Sequence, residues 1–158
     1  MSLVVVSEDW ILSRPYVREQ FESSGGTESN CAARELARFF TLTRSTDRPL
    51  ALINPNIDVL WHTFIEFTED YGDFCIKNFG YFIHHRARTS TSLVPIKSIR
   101  YFYDEYLHFF GELPPIWETG APSEITAYGR RMTNNLPDQL RWSGWPGRID
   151  VLNSGCRH

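Results

Sequence analysis

The chain has 158 residues, enough for one domain whose core needs no disulfide or metal staples. Its 42% hydrophobic and 15% aromatic content exclude a disordered polypeptide, and a net charge of −3 excludes a basic surface built to neutralise phosphates. The acidic excess lies in residues 1–79, with twelve acidic against seven basic residues, whereas residues 80–158 hold seven against nine.

The start, MSLVVVSEDW, carries a short β-branched run at Leu3–Val6, which predicts either a strand or apolar packing. It has no basic region before that run, so it does not read as a secretory signal. Ser7, followed by Glu8 and Asp9, predicts a helix start, and Pro15 should end or kink that helix. Ser23 to Gly26 is a loop. A second helix is expected from about Glu28 to Leu42, capped by Thr27, with Ala32, Leu36, Phe39 and Phe40 at helical spacing. After a connection from Arg44 to Asn54, Pro55 suits the first helical position and Asn54 the cap. The spacing predicts one long helix over residues 55–79, stopped by Gly80. A Ser/Thr-rich loop spans Arg86 to Pro95, and a helix over Ile96–Phe110 ends at Gly111. A short helix near Glu124–Asn134, capped by Ser123, precedes a Gly- and Pro-rich tail whose Trp142 and Trp145 are expected to fold back over the helices. The expected fold is therefore all-α, a small bundle of four to five helices in one domain with an irregular tail.

The helix over 55–79 carries the clearest chemical signal. On a wheel of about 100° per residue, Ile57, Leu60, Trp61, Phe64, Phe67, Tyr71, Phe74, Cys75 and Phe79 share one side. Asp58, His62, Glu66, Glu69, Asp70, Asp73 and Lys77 occupy the other. His62 therefore stands between Asp58 and Glu66, each one turn away. Such a face is often no more than solvated charge. An imidazole four residues from a carboxylate can also share a divalent ion with it, because the two side chains stand one above the other. His84 and His85 follow the helix, and in an extended segment adjacent residues point to opposite sides, so only one of them can readily join His62. An unbroken helix from His62 to Phe79 would be roughly 25 Å long. Five extended residues return at most about 17 Å, so a break near Gly72 would ease the meeting. Cys75 lies some 20 Å along that helix on the apolar face, which favours packing. His108, within an aromatic helix, and the terminal His158 read as ordinary residues.

Cys31, Cys75 and Cys156 are odd in number and form no CxxC, which leads us to expect reduced thiols. No stretch approaches the ~20 apolar residues of a membrane span, and the protein is expected to be cytoplasmic.

The segment Asp58-x-x-Trp61-His62, followed by Phe64, Phe67-Thr68, Tyr71, Phe74-Cys75, Gly80 and Phe82-Ile83-His84-His85, resembles the conserved domain of the glycine-rich domain-containing proteins. Arg38-Phe39-Phe40 upstream and Tyr106, Phe109, Gly111, Pro114-Pro115 and Trp117 downstream are similar to that family too, so the likeness covers about residues 30–118. Glu66 stands where the family usually has an aliphatic residue, no proline follows the His-His pair, and the naming glycine-rich segment is missing. The resemblance implies importance for Asp58, Trp61, His62, Cys75, His84 and His85 and supplies no reaction.

Two functions compete. One is a metal-binding domain, zinc first, with His62, His84 or His85, Asp58 and Cys75 as candidate ligands. The other is an interaction module or inhibitor for a protein partner, supported by the aromatic surplus and the acidic first half, with structural histidines. Neither nucleic acid nor membrane is expected as a partner. A metal-independent hydrolase is the weakest reading, since no GxSxG elbow is present, and Gly25-Gly26 is too short to cradle a phosphate.

Overall fold

A computed structural model describes residues 5–85, 93–131 and 139–141. The chain is helical, as expected. Seven α-helices are described: α1 (Asp9–Leu12), α2 (Pro15–Ser23), α3 (Ser29–Ser45), α4 (Pro55–Glu66), α5 (Thr68–Phe79), α6 (Ile96–Phe110) and α7 (Ser123–Gly129), with a 3₁₀ turn at Pro115–Trp117. Among the described residues the one ladder is a two-stranded antiparallel pair, β1 (Leu93–Pro95) against β2 (Gln139–Arg141), in register Val94 to Leu140.

Pro15 acts as a divider: α1 ends before it and α2 begins on it, because its missing N–H costs nothing at a first helical position. Ser7 Oγ accepts from Asp9 N–H at 3.2 Å, so it supports the start of α1 from two residues away. Val6 is buried and donates its N–H to Thr41 Oγ1, so it packs against α3. Thr27 is not the cap of α3. Glu28 takes that place with a left-handed backbone, and Thr27 instead exchanges two backbone hydrogen bonds with the Asn56 amide, at 3.0 and 2.9 Å. Gly26 is required just before it, since an added Cβ would sit 2.2 Å from the Phe21 ring.

The expected helix over 55–79 is two helices. Phe67, at φ −86° and ψ 70°, interrupts it, and Thr68, Glu69 and Asp70 open α5 with acids in its first turn, where the helix dipole favours them. Gly72, the residue with the greater backbone freedom, stays helical and open to space. The break returns α5 onto α4, with Phe64 against Tyr71 and Phe74, both at 5.2 Å between ring centroids.

Helix α3 is the axis of the core. Phe40 packs on Trp61, Phe74 and Phe79, while its neighbour Phe39 packs on Trp61, Phe102 and Trp117. Two successive aromatics thus join the α4–α5 pair to α6 and the 3₁₀ turn. Asn54 adds a polar tie. Its Oδ1 caps Ile57 N–H at 3.0 Å, as expected, and its Nδ2 donates to the carbonyls of Ile116 and Thr119 at 2.5 and 2.9 Å. At the other end Arg14 and Tyr16 both bind Asp70, holding α2 to α5. No described helix is long and apolar enough to cross a membrane. Trp142, Trp145, Cys156, His158 and the loop after His85 lie outside the described residues.

Candidate metal centre

Asp58 and His62 sit one turn apart on the outer face of α4, while Trp61 between them points into the core. The segment after α5 comes back to that face. Tyr71, wholly buried, makes the return possible: its hydroxyl donates to the Ile83 carbonyl at 2.7 Å and accepts from Trp61 Nε1 at 3.0 Å. Ile83 N–H meets Cys75 Sγ at 3.5 Å. Burial raises the Tyr71 hydroxyl well above its ordinary pKa, which keeps it protonated as a donor.

His85 is thereby laid across α4. Its ring is edge-on to the Trp61 indole at 4.3 Å and edge-on to His62 at 4.2 Å. His85 Nε2 is 2.8 Å from Asp58 Oδ1, and His85 Nδ1 is 3.1 Å from His62 Nε2. Asp58 Oδ2 is 3.8 Å from His62 Nε2. A donor atom from each of the three lies within 4.8 Å of the other two. The burial is graded: the His85 side chain is 7% exposed, Asp58 16% and His62 42%.

This geometry fixes a tautomer. An ionised carboxylate only accepts, so His85 Nε2 carries a proton and, in the neutral ring, Nδ1 presents a bare lone pair toward His62. The His62 pKa is lowered by burial, partly opposed by the Asp58 carboxylate and furthered by the neighbouring His85. A neutral His62 is what a metal ligand requires.

Of the five candidate ligands, Asp58, His62 and His85 converge. His84 does not join them: it is exposed and packs its ring on Phe82 at 5.0 Å. Alternation along the extended segment explains why one histidine turns in and the other out. Cys75 is fully buried and spends its sulfur on the Ile83 amide. It is a free thiol, whereas Cys31 is disulfide-bonded, which corrects the expectation of reduced thiols there. His108 is exposed on the last turn of α6 against Phe109.

A second polar centre escaped the sequence reading. Glu35 is 0% exposed on α3, and its Oε2 accepts from Tyr106 and Trp117 Nε1 at 2.5 and 2.8 Å, its Oε1 from Arg38 at 3.0 Å. Its signal was an acid at i+3 from Ala32 and i−4 from Phe39, inside the apolar stripe, where a charge persists only with partners.

No curated protein and no solved structure matches the chain. Residues 13–94 match the family model described as UCP032817-like. That span is just over half of the sequence and holds Asp58, His62 and His85 together with the α4–α5 break and the Tyr71 tether that assemble them. The chain belongs to the UCP032817-like family.

Proposed function

We propose that Asp58, His62 and His85 form a site for one divalent transition-metal ion, zinc first. The observation that carries this reading is the 3.1 Å separation of His62 Nε2 and His85 Nδ1. Two imidazole nitrogens bound tetrahedrally to one zinc, at ordinary Zn–N lengths, stand about 3.3 Å apart. Little movement is therefore needed to admit an ion in place of the shared proton. The Asp58 contact at His85 Nε2 is the carboxylate–imidazole arrangement that orients metal-bound histidines and fixes their tautomer.

Two imidazole nitrogens, with the Asp58 carboxylate held on the far nitrogen of His85, leave the remaining positions to water. That is the donor count of an open site rather than a closed structural one. His62, the most exposed of the three, places the open side toward solvent. The resemblance to glycine-rich domain-containing proteins rests on the same residues and is part of this proposal.

The test is metal analysis of the full chain purified without chelator or added metal, followed by calorimetric titration with zinc. We expect one ion per chain, lost in His62→Ala and His85→Ala and retained in His84→Ala. Equal retention in all three variants, or only traces of metal in the parent, overturns the reading.

A second reading, a docking module for a protein partner, has one observation in its favour. Ile76, Tyr81 and Phe82 are 60%, 60% and 42% exposed at the end of α5 and just beyond it. Substituting Tyr81 and Phe82 by serine should abolish capture of a partner on that reading and leave zinc binding intact.

A further inference from the structure

A cavity of about 770 Å³ opens between α3 and the segment that follows α6, sharing no residue with the histidine cluster. Its volume is that of small-molecule sites. Three arginines line it, and their bonding differs.

Arg130, on the far wall, forks onto Glu118 at 2.6 and 2.7 Å, so those two charges cancel. Arg38 is also engaged: Nη1 meets Glu35 Oε1 at 3.0 Å and the Tyr106 hydroxyl at 2.9 Å, and its guanidinium lies over the Phe110 ring. Arg34 is not. Its Nε is cut off from solvent and donates to nothing. Its nearest carboxylate oxygen, Glu35 Oε1, is 3.7 Å away, beyond hydrogen-bond length, and Nη2 reaches only the Cys31 sulfur at 4.0 Å.

Glu35 has little left to offer it. That buried carboxylate already receives Tyr106, Trp117 and Arg38, so Arg34 is the second guanidinium beside an anion that one guanidinium has neutralised. Glu112, exposed at the rim, is the remaining acid of the lining. A partly exposed, forked cation on the cavity wall, its ion pair with Glu35 stretched to 3.7 Å, matches a planar or tetrahedral oxyanion.

We propose that this cavity binds a small molecule bearing a carboxylate or phosphate group, with the oxyanion docked on Arg34 beside Arg38. Neither the metal reading nor its failure bears on this site.

The full chain is titrated with succinate and, separately, with inorganic phosphate at fixed ionic strength, followed by calorimetry or amide chemical shifts. Saturable binding of at least one anion is expected, and which one saturates distinguishes carboxylate from phosphate. Arg34→Gln should weaken it about tenfold or more, and Arg34→Lys, which keeps the charge but loses the fork, should fall between. Arg131→Gln removes the same charge from a residue paired with Asp104 outside the cavity lining, and should leave binding unchanged. Saturation by neither anion overturns the proposal. So does equal weakening by Arg34→Gln and Arg131→Gln, which would reduce the effect to overall charge. If Arg34→Gln fails to fold, the parent titration and the Arg34→Lys comparison decide.

Discussion

The imidazole of His85 stands at 87° to the indole of Trp61, so one ring from the returning segment touches both a core residue of α4 and, through His62, its solvent-facing neighbour. The position of His85 is thus set by core packing, and what disturbs that packing should be felt at the candidate metal centre.

Tyr71→Phe tests the link. It removes the donor to Ile83 and leaves Trp61 Nε1 buried without an acceptor. We expect a loss of about 2–3 kcal/mol of stability. Zinc affinity should also fall although no ligand has changed, as read by parallel urea unfolding and zinc titration. Unaltered affinity would show that Ile83 and His85 hold their places without the tether.

Acidification should weaken the fold through His62. Its folded pKa lies below the ordinary 6.5, chiefly because of burial, so the unfolded chain takes up the proton first. The contribution of neutral His62 is intact above about pH 6.5 and is lost progressively as pH falls below that value. Unfolding free energies at pH 7.5, 6.5 and 5.5 should decline less steeply in His62→Gln than in the parent. Zinc affinity should decline over the same range, because protons compete for the same nitrogen.

Glu35→Ala should be among the most damaging single changes. It strands Arg38, Tyr106 and Trp117 Nε1 around a vacated carboxylate, and breaking a buried charge pair of this kind costs roughly 3–5 kcal/mol. Urea midpoints at constant slope would report it. A cost below that of an ordinary surface substitution would mean the network is worth little to folding.

Asn54→Ala removes an N-cap, worth about 1 kcal/mol, and orphans carbonyls of the 116–119 segment at about 1 kcal/mol or more each. Asn54→Asp keeps the cap oxygen yet presents a carboxylate to those carbonyls. It should therefore recover little of the loss in thermal melting, although as an isolated helix cap it is a conservative exchange.

Much of this architecture is written in local chemistry. Helix α6 runs between the expected bounds because its apolar rows are regular and Gly111 stops it with φ 81°. Asn54 and Pro55 announced α4 in the same way. The break at Phe67 was hidden because the residue has no turn chemistry of its own. Its cause is tertiary, the packing of Phe64 on Tyr71 and Phe74, and the local trace was only the Thr68-Glu69-Asp70 restart. Alternation along an extended segment opposed His84 to His85, but without the break it could not say which would meet His62. The Glu35 network lay further from view, since Tyr106 and Trp117 are 71 and 82 positions away.

The Asn54 amide and the Glu35 carboxylate both reach beyond the span that defines the family, Asn54 to the 116–119 backbone and Glu35 to two aromatic side chains. A fragment cut at residue 94 would keep Arg38 on Glu35 and the Asn54 cap on Ile57, but would lose the Tyr106 and Trp117 donors and leave the Asn54 Nδ2 without its carbonyls. The family signature is accordingly an incomplete building block, and the stretch downstream of it is the keystone that lets it stand.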